Sequence, residues 1–366
     1  MDLVQVRLDS FLAEQSTTLL EISPDLDVID QGARALLAGG KRFRALFCYW
    51  GWQSISALGD DFDLNADVGA SGELDAVVAV AASLEIFHAA ALVHDDIMDN
   101  SDTRRGQPSV HRRFEALHGD RGWSGSAPGY GTASALLLGD LLLGWSDELF
   151  ERGLAAGGDL AAAAATRAEF TKMRTEVTVG QYLDMLEEHS WRGRPEAELL
   201  PRAHRVIVYK SAKYSVEAPL ALGASLAGGS LAQLGALRAF GLPLGVAFQL
   251  RDDLLGVFGD PSVTGKPAGD DLREGKRTVL VTLARQKLPA SAGRLVDELL
   301  GDPELSAEQI AMLQTAIQQS GAVDQVERVI AHNVDVAVAA LQAAPIARTA
   351  RDQLTALADT VTKRTS

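Results

Sequence analysis

Apolar residues recur along this chain at i, i+3 and i+4 in nearly every segment, and the alternation of a half-buried strand is scarce. This pattern predicts helices near residues 3–17, 30–52, 73–101, 131–153, 159–189, 199–224, 230–258, 275–287, 306–320, 323–343 and 346–362. The expected fold class is all-α, a bundle of ten or more helices. Breaks fall at 51–72, 119–131, 191–195 and 259–269, but none reads as a linker, so residues 1–366 are expected to form a single domain. No run is expected to reach the roughly 18 apolar residues of a membrane span. The closest stretch, Ala135 to Trp145, is short and carries Asp140.

The helix expected over 73–101 ends in a dense polar cluster. Asp95, Asp96, Asp99 and Asp102 are followed at once by Arg104 and Arg105. Leu84, Phe87, Ala91 and Asp95 lie on one helical stripe, Asp99 continues it, and Asp96 points about 100° away. Acidic residues are unfavourable in the last turn of a helix, so this cluster calls for a compensating cation. Two carboxylates one turn apart suit Mg²⁺, a hard cation that completes its shell with water and phosphate oxygens. A second acidic pair, Asp252-Asp253, closes the apolar helix that begins near Leu231. Two such ends could face one cavity and share metal ions.

Composition narrows the partners. Lys and Arg number 34 against 49 Asp and Glu, a net charge of −15, which disfavours nucleic acid and anionic membrane. Clustered cations in so acidic a chain therefore need a reason. Lys41 and Arg44 are three apart behind Gly39-Gly40, so they are expected to share a helix face. Lys210 precedes Ser211 on a later helix, and Lys266 and Lys276 flank a Gly/Pro-rich loop. With two magnesium-type sites, these suggest a pocket for two polyanions, one held through metal and one gripped directly by Arg and Lys. Cys48 is the single cysteine, which excludes an intrachain disulfide and a multi-thiolate zinc site and suits a reducing cytoplasm. The first fifteen residues carry acids and no uninterrupted apolar core, so a secretory signal is not expected.

In order, GGKRFR (39–44), HDDIMDNSDTRRGQPSVH (94–111), GQYLD (180–184), YKSA (209–212), FQLRDDLLGVFGD (248–260) and GKPAGDDLREGKRT (265–278) resemble the motifs of the trans-isoprenyl diphosphate synthases, or polyprenyl synthetases. The resemblance covers about residues 30–290, with further helices over about 300–362. It implies the isoprenoid synthase fold around a central cavity, a cytoplasmic homodimer, and about three Mg²⁺ per site when substrate is bound, with Mn²⁺ able to substitute. The implied substrates are isopentenyl diphosphate and an allylic diphosphate (dimethylallyl, geranyl or farnesyl). By resemblance, Asp95, Asp96 and Asp99 hold metal on the allylic diphosphate, and Asp252 ligates a further metal with Asp253 and Asp271 nearby. Arg104, Lys210, Ser211, Gln249, Lys266 and Lys276 surround the allylic substrate. Lys41, Arg44, His88 and Arg105 bind isopentenyl diphosphate, with His111 a further candidate, and Gln181 and Asp184 line the reaction zone. The chain departs from the family pattern at Gly256, where the second aspartate motif usually ends in Asp, at Ser211 for the usual Thr, and at Ala45 for the usual Pro.

Ionising an allylic diphosphate puts negative charge on the departing pyrophosphate, which metal, Lys and Arg stabilise, while apolar walls shield the carbocation from water. Ala90 and Ala91, one turn before Asp95, are small, and Phe87 lies a turn further along as a candidate floor. This predicts a product longer than farnesyl, namely geranylgeranyl diphosphate. A longer-chain or farnesyl synthase of the same family is the neighbouring reading. A class I terpene cyclase would carry an Asn, Ser/Thr and Glu motif in place of Asp252-Asp253 and would leave Lys41, Arg44 and Arg105 unexplained. A non-catalytic regulatory subunit would be expected to lack first-motif aspartates, and all are present here.

Overall fold

The computed structural model describes residues 2–58, 70–260 and 269–362, and at residues 70 and 71 only the backbone. The described chain is all-α apart from one two-stranded hairpin. Its helices are α1 Asp2–Ile22, α2 Asp27–Leu37, α3 Phe43–Ser56, α4 Ala70–Met98, α5 Val110–Asp120, α6 Ala127–Gly157, α7 Leu160–Ser190 and α8 Glu196–Val206. They continue as α9 Ala218–Leu226, α10 Leu231–Phe258, α11 Asp270–Glu274, α12 Val279–Lys287, α13 Ala290–Leu299, α14 Ala307–Gln319, α15 Ala322–Gln342 and α16 Arg348–Thr362. The strands are β1 Thr103–Arg104 and β2 Gln107–Pro108. Two compact units make up the chain, one of residues 1–168, 219–234 and 346–350, the other of 169–218, 235–345 and 351–366.

Several boundaries differ from the expected ones. The helix expected over 30–52 is broken, because Gly39, Gly40 and Arg42 have left-handed φ of 69°, 94° and 49°. Lys41 is therefore exposed ahead of α3 and does not share a helical face with Arg44. The expected 199–224 helix is composite: α8 passes into eleven residues of π-helix, Ile207–Glu217, before α9. No hydrophobic period announces that widening, which relaxes each turn around the lysine-serine pair at 210–211. Helices α5 and α13 are short and mostly polar, with only Val110 and Phe114, or Val296, among their buried large apolar side chains, too few for a periodic signal.

In the first unit the core lies where α4 packs on α6, around Leu84, Ile86, Leu138, Leu142 and Leu149. Small residues let the two helices close: a Cβ on Gly139 would stand 2.3 Å from the His94 ring. Helices α4 and α10 are both long and apolar enough to cross a membrane, contrary to the expectation that no run would be. Most of the apolar stretch of α4, and half that of α10, is buried inside the fold. The closest crossing is that of α3 and α9. A Cβ on Gly51 would lie 2.3 Å from the Leu220 carbonyl oxygen, and one on Gly223 1.9 Å from that of Cys48. Cys48 is buried there, and desolvation pushes its thiol up to about 12.

The second unit's core is built on α10, whose Val246, Leu250, Leu254 and Val257 pack with Leu280, Leu313, Val326 and Ile330. The C-terminal helices, which carry no recognisable motif, are thus the scaffold of the helix that bears the second acidic pair. Arg251 clamps them, donating to both Glu327 carboxylate oxygens at 2.6 and 2.7 Å and to the Thr362 carbonyl at 2.9 Å. The π-helical segment is gripped by two glycines: a Cβ on Gly180 would meet the Lys210 amide at 2.4 Å, and one on Gly245 the Ala212 carbonyl at 2.4 Å.

Because the obstacles at Gly51 and Gly223 are backbone atoms, Gly223→Ala is expected to destabilise the protein by about 1–3 kcal/mol. Gly144→Ala, in α6 with open space around it, should be neutral or stabilising by about 1 kcal/mol. Urea unfolding midpoints check both; equal midpoints would contradict the close crossing.

Candidate active site

The first unit carries one cluster of the expected residues. The Asp99 amide donates to the Asp95 carbonyl at 2.8 Å, so their carboxylates remain one turn apart past the end of α4. Asn100 then takes φ 50°, and the Ser101 and Asn100 amides donate back to the Asp96 and Ile97 carbonyls, a Schellman-type stop. Asp96 turns inward, 1% exposed. Arg104 Nε donates to Asp96 Oδ1 at 2.9 Å, and its Nη2 reaches both Asp96 and Asp95 Oδ2, the latter at 3.3 Å. The β1–β2 turn is Arg105-Gly106, with φ of 53° and 72°, the left-handed pair of a tight hairpin turn. Arg112 braces this loop, donating to Asp102 at 2.7 Å and to Asn100 at 3.2 Å.

Behind the hairpin is a cleft of about 250 Å³, lined among others by Gly39, Arg42, Glu85, His88, Leu92 and Arg105. Removal from bulk water holds His88 well below the usual histidine range, and the Arg44, Arg105 and Arg104 charges push the same way. The imidazole is therefore neutral at pH 7. Glu85 was not anticipated. Its carboxyl is raised by burial, opposed by Arg44, Arg42 and Arg105, and it accepts the Ala45 amide at 3.2 Å. The sequence did hold a signal: Glu85 is the sole charged residue between Asp75 and Asp95, one turn from His88. Phe87 and Ala90 are buried, whereas Ala91 is partly open, so of the two alanines only Ala91 reaches an accessible surface. His111 is buried, with Nδ1 3.2 Å from the Ser109 hydroxyl.

The second unit carries the other cluster. Lys210, in the π-helical segment, donates to Asp184 of α7 at 2.5 Å, and Ser211 beside it is half-buried. The Gln181 side-chain nitrogen is buried without a hydrogen-bond partner. Gln249 donates to Asp253 at 2.8 Å, one turn on along α10. Asp253 is 4% exposed and its Oδ2 has no partner. Burial pushes its carboxyl up to about 8, and Asp271, Asp252 and Asp184 push the same way against the Gln249 hydrogen bond. Lys276 pairs with Glu274 at 2.6 Å and lies 4.0 Å from Asp271. Lys266 falls outside the described residues.

Among the described residues no three His, Cys, Asp or Glu side chains close on one point tightly enough to enclose an ion. The donor set nevertheless fits Mg²⁺, which needs one or two carboxylates per ion and takes its other ligands from water and phosphate. The buried, partnerless oxygen of Asp253, beside acidic neighbours that favour its protonated form, is a ligand atom that such an ion would engage as the proton leaves.

The Polyprenyl synthetase family model matches residues 27–317. The chain belongs to that family. A crystal structure of geranylgeranyl pyrophosphate synthase from Corynebacterium glutamicum, complexed with isoprenyl diphosphate and magnesium, superposes with a TM-score of 0.89 at 39% identity, covering 99% of this chain and 98% of that one. The geranylfarnesyl diphosphate synthase of Aeropyrum pernix is 31% identical over 84% of each chain. The geranylgeranyl diphosphate synthase of Mycobacterium tuberculosis is 30% identical over 84% of this chain and 77% of its own. As a polyprenyl synthetase the protein is a trans-prenyltransferase of the isoprenoid synthase fold.

Removing Arg104 would strand the buried Asp96 carboxylate. Arg104→Met is expected to cost about 3–5 kcal/mol in unfolding free energy. Adding Asp96→Asn should recover part of that loss. A calorimetric comparison of the single and double variants reads this coupling, and additive losses would contradict it.

Proposed function

We propose that this polyprenyl synthetase makes geranylgeranyl diphosphate, adding isopentenyl diphosphate head-to-tail to an allylic diphosphate with Mg²⁺ as cofactor and pyrophosphate as the second product. The observation that carries the reading is the pairing, within one compact unit, of the Asp95/Asp99 face with an arginine-lined cleft around a neutral His88. One arrangement suits a diphosphate held through metal, the other a diphosphate held directly by guanidinium groups. A terpene cyclase takes a single diphosphate and has no use for the second arrangement.

In this reading Asp95 and Asp99 would hold metal on the allylic diphosphate, and Asp252, with the adjacent Asp253 and Asp271, would hold a further ion, about three in all. Those carboxylates would thereby place magnesium's positive charge where negative charge gathers on the leaving pyrophosphate. Asp96 orients Arg104, while Lys210, Ser211, Gln249, Lys266 and Lys276 contribute hydrogen bonds and charge to the same diphosphate. Gln181 and Asp184 line the reaction zone, Asp184 steadying Lys210. Arg44, Arg105, Lys41 and His88 hold isopentenyl diphosphate, and His88, being neutral, donates a hydrogen bond without adding a proton. Glu85 spaces the arginines around it. As the allylic C–O bond breaks, its electron pair leaves with pyrophosphate. The isopentenyl double bond then attacks the cation, and the proton shed in restoring the alkene passes to pyrophosphate, so no side-chain base is required. Residues 1–366 act as one synthase domain in the cytoplasm. The protein works as a homodimer, a reading supported by Leu136 and Leu137 standing exposed on α6.

Pyrophosphate release and product mass, followed with Mg²⁺ and both substrates, test the reading. Asp95→Asn and Asp252→Asn should each lower kcat about 10²–10³-fold, the scale of losing one preorganised contact to developing charge. Hydrocarbon release in place of a longer diphosphate would point to a cyclase. Phe87→Ala should lengthen the product and Ala91→Phe shorten it; unchanged length in the first would remove Phe87 as the floor.

A further inference from the structure

Trp191 belongs to none of the six motifs, yet guanidinium groups gather on it. The Arg277 guanidinium carbon lies 3.5 Å from the centre of its ring system, with those of Arg192 and Arg285 at 5.4 and 5.8 Å. Indole attracts a cation more strongly than any other side-chain ring, and the Arg277 distance is that of direct stacking. Burial explains why the contact matters. The Arg277 side chain is 10% exposed, and removal from water pushes its guanidinium down to about 10. Ion pairing offsets this only in part. Arg277 Nη1 donates to Asp297 Oδ1 at 3.1 Å, but Arg285 Nε lies 2.9 Å from both oxygens of the same carboxylate. Arg277 Nε is buried with no hydrogen-bond partner. A guanidinium so sparsely bonded at its edge is oriented by what lies on its face.

Each side of the stack leads to a lysine. Trp191 follows the last residue of α7, about two helical turns beyond Asp184, and Asp184 holds Lys210 at 2.5 Å. Arg277 follows Lys276 directly, in the short stretch between α11 and α12. These two neighbours turn to different partners. Lys276 reaches Glu274 at 2.6 Å and Asp271 at 4.0 Å, while Arg277 goes to Trp191 and Asp297. The backbone that carries Lys276 is thus pinned on its far side to the end of the helix that steadies Lys210.

We propose that Trp191 is a positioning residue for the allylic diphosphate: stacked on Arg277, it sets Lys276 in place relative to Lys210, so that lysines from two distant segments meet one ligand. The proposal rests on the reading above that gives both lysines that ligand.

The test compares wild type, Trp191→Leu, Trp191→Phe, Arg277→Lys, Lys276→Ala and the double variant Trp191→Leu/Lys276→Ala. Calorimetry with Mg²⁺ reads the binding of geranyl thiolodiphosphate, an allylic diphosphate analogue whose C–S bond resists ionisation, and separately that of isopentenyl diphosphate. Trp191→Leu and Arg277→Lys should each weaken thiolodiphosphate binding about tenfold and leave isopentenyl diphosphate within about twofold of wild type. Trp191→Phe keeps an aromatic face and should recover most of the loss. With Lys276 already removed, Trp191→Leu should cost no more than about twofold, because the residue it acts through is gone. A tryptophan that served only the fold would weaken both ligands alike, or would cost the same tenfold with and without Lys276. Either result overturns the proposal, as does wild-type thiolodiphosphate affinity in Trp191→Leu. Should Trp191→Leu fail to fold, Arg277→Lys alone and combined with Lys276→Ala carries the same comparison. Failure of the synthase reading itself would instead appear in wild type, as binding of neither diphosphate.

Discussion

Carboxylates packed into the final turns of a long apolar helix repel one another and oppose the helix dipole, and this chain does it twice. Much of the structure around them offsets that cost. On α4 the compensation comes partly from within: Asp96 is turned inward onto Arg104, and the hairpin delivering that arginine is fixed by a left-handed turn and by Arg112. Asp95 and Asp99 keep their place at the accessible edge. On α10 compensation is incomplete, since Gln249 satisfies only one oxygen of Asp253. A divalent cation would supply the partner that this buried oxygen lacks, which is why the motif suits the metal role proposed for it.

The basic cleft applies the opposite sign with the same economy. Three positive-φ residues other than glycine stand among the described residues, Arg42, Asn100 and Arg105, and Arg42 and Arg105 line this cleft. Left-handed backbone is disfavoured for such side chains, so the surrounding structure must hold them there. Glu85 lies among Arg42, Arg44 and Arg105, reducing their mutual repulsion. With His88 neutral, the cleft carries its positive charge on guanidinium groups, whose planar donors match phosphate oxygens.

Glycine supplies the mechanical side of the architecture. Gly51 and Gly223 let α3 and α9 touch backbone to backbone, and Gly180 and Gly245 do the same on either side of the π-helical turn that carries Lys210. Gly256 belongs with them, except that what approaches it is a carboxylate from another segment. In each case the missing side chain sets how near a neighbour can come, and so where a lysine or an aspartate ends up.

Helical periodicity was enough to show an all-α chain, because burying one face of a helix imposes a repeat that any window of sequence displays. The six motifs, each a short contiguous run, were enough to show the family, and with it the expectation of divalent metal and diphosphate. What remained hidden depended on residues far apart in sequence. The turn at Gly39 to Arg42 that parts Lys41 from Arg44, the π-helical widening at 207–217, and the use of α4 as a core helix follow from packing that no local window records. Glu85 acquires its meaning only when α3 and the 103–108 hairpin bring three arginines around it. At Gly256 a lost aspartate could be read from the sequence alone, but the carboxylate lying against that position comes from fifteen residues downstream. Local pattern fixes which groups exist and how they repeat; only the folded chain decides which distant charges meet, since that is a matter of distance and burial.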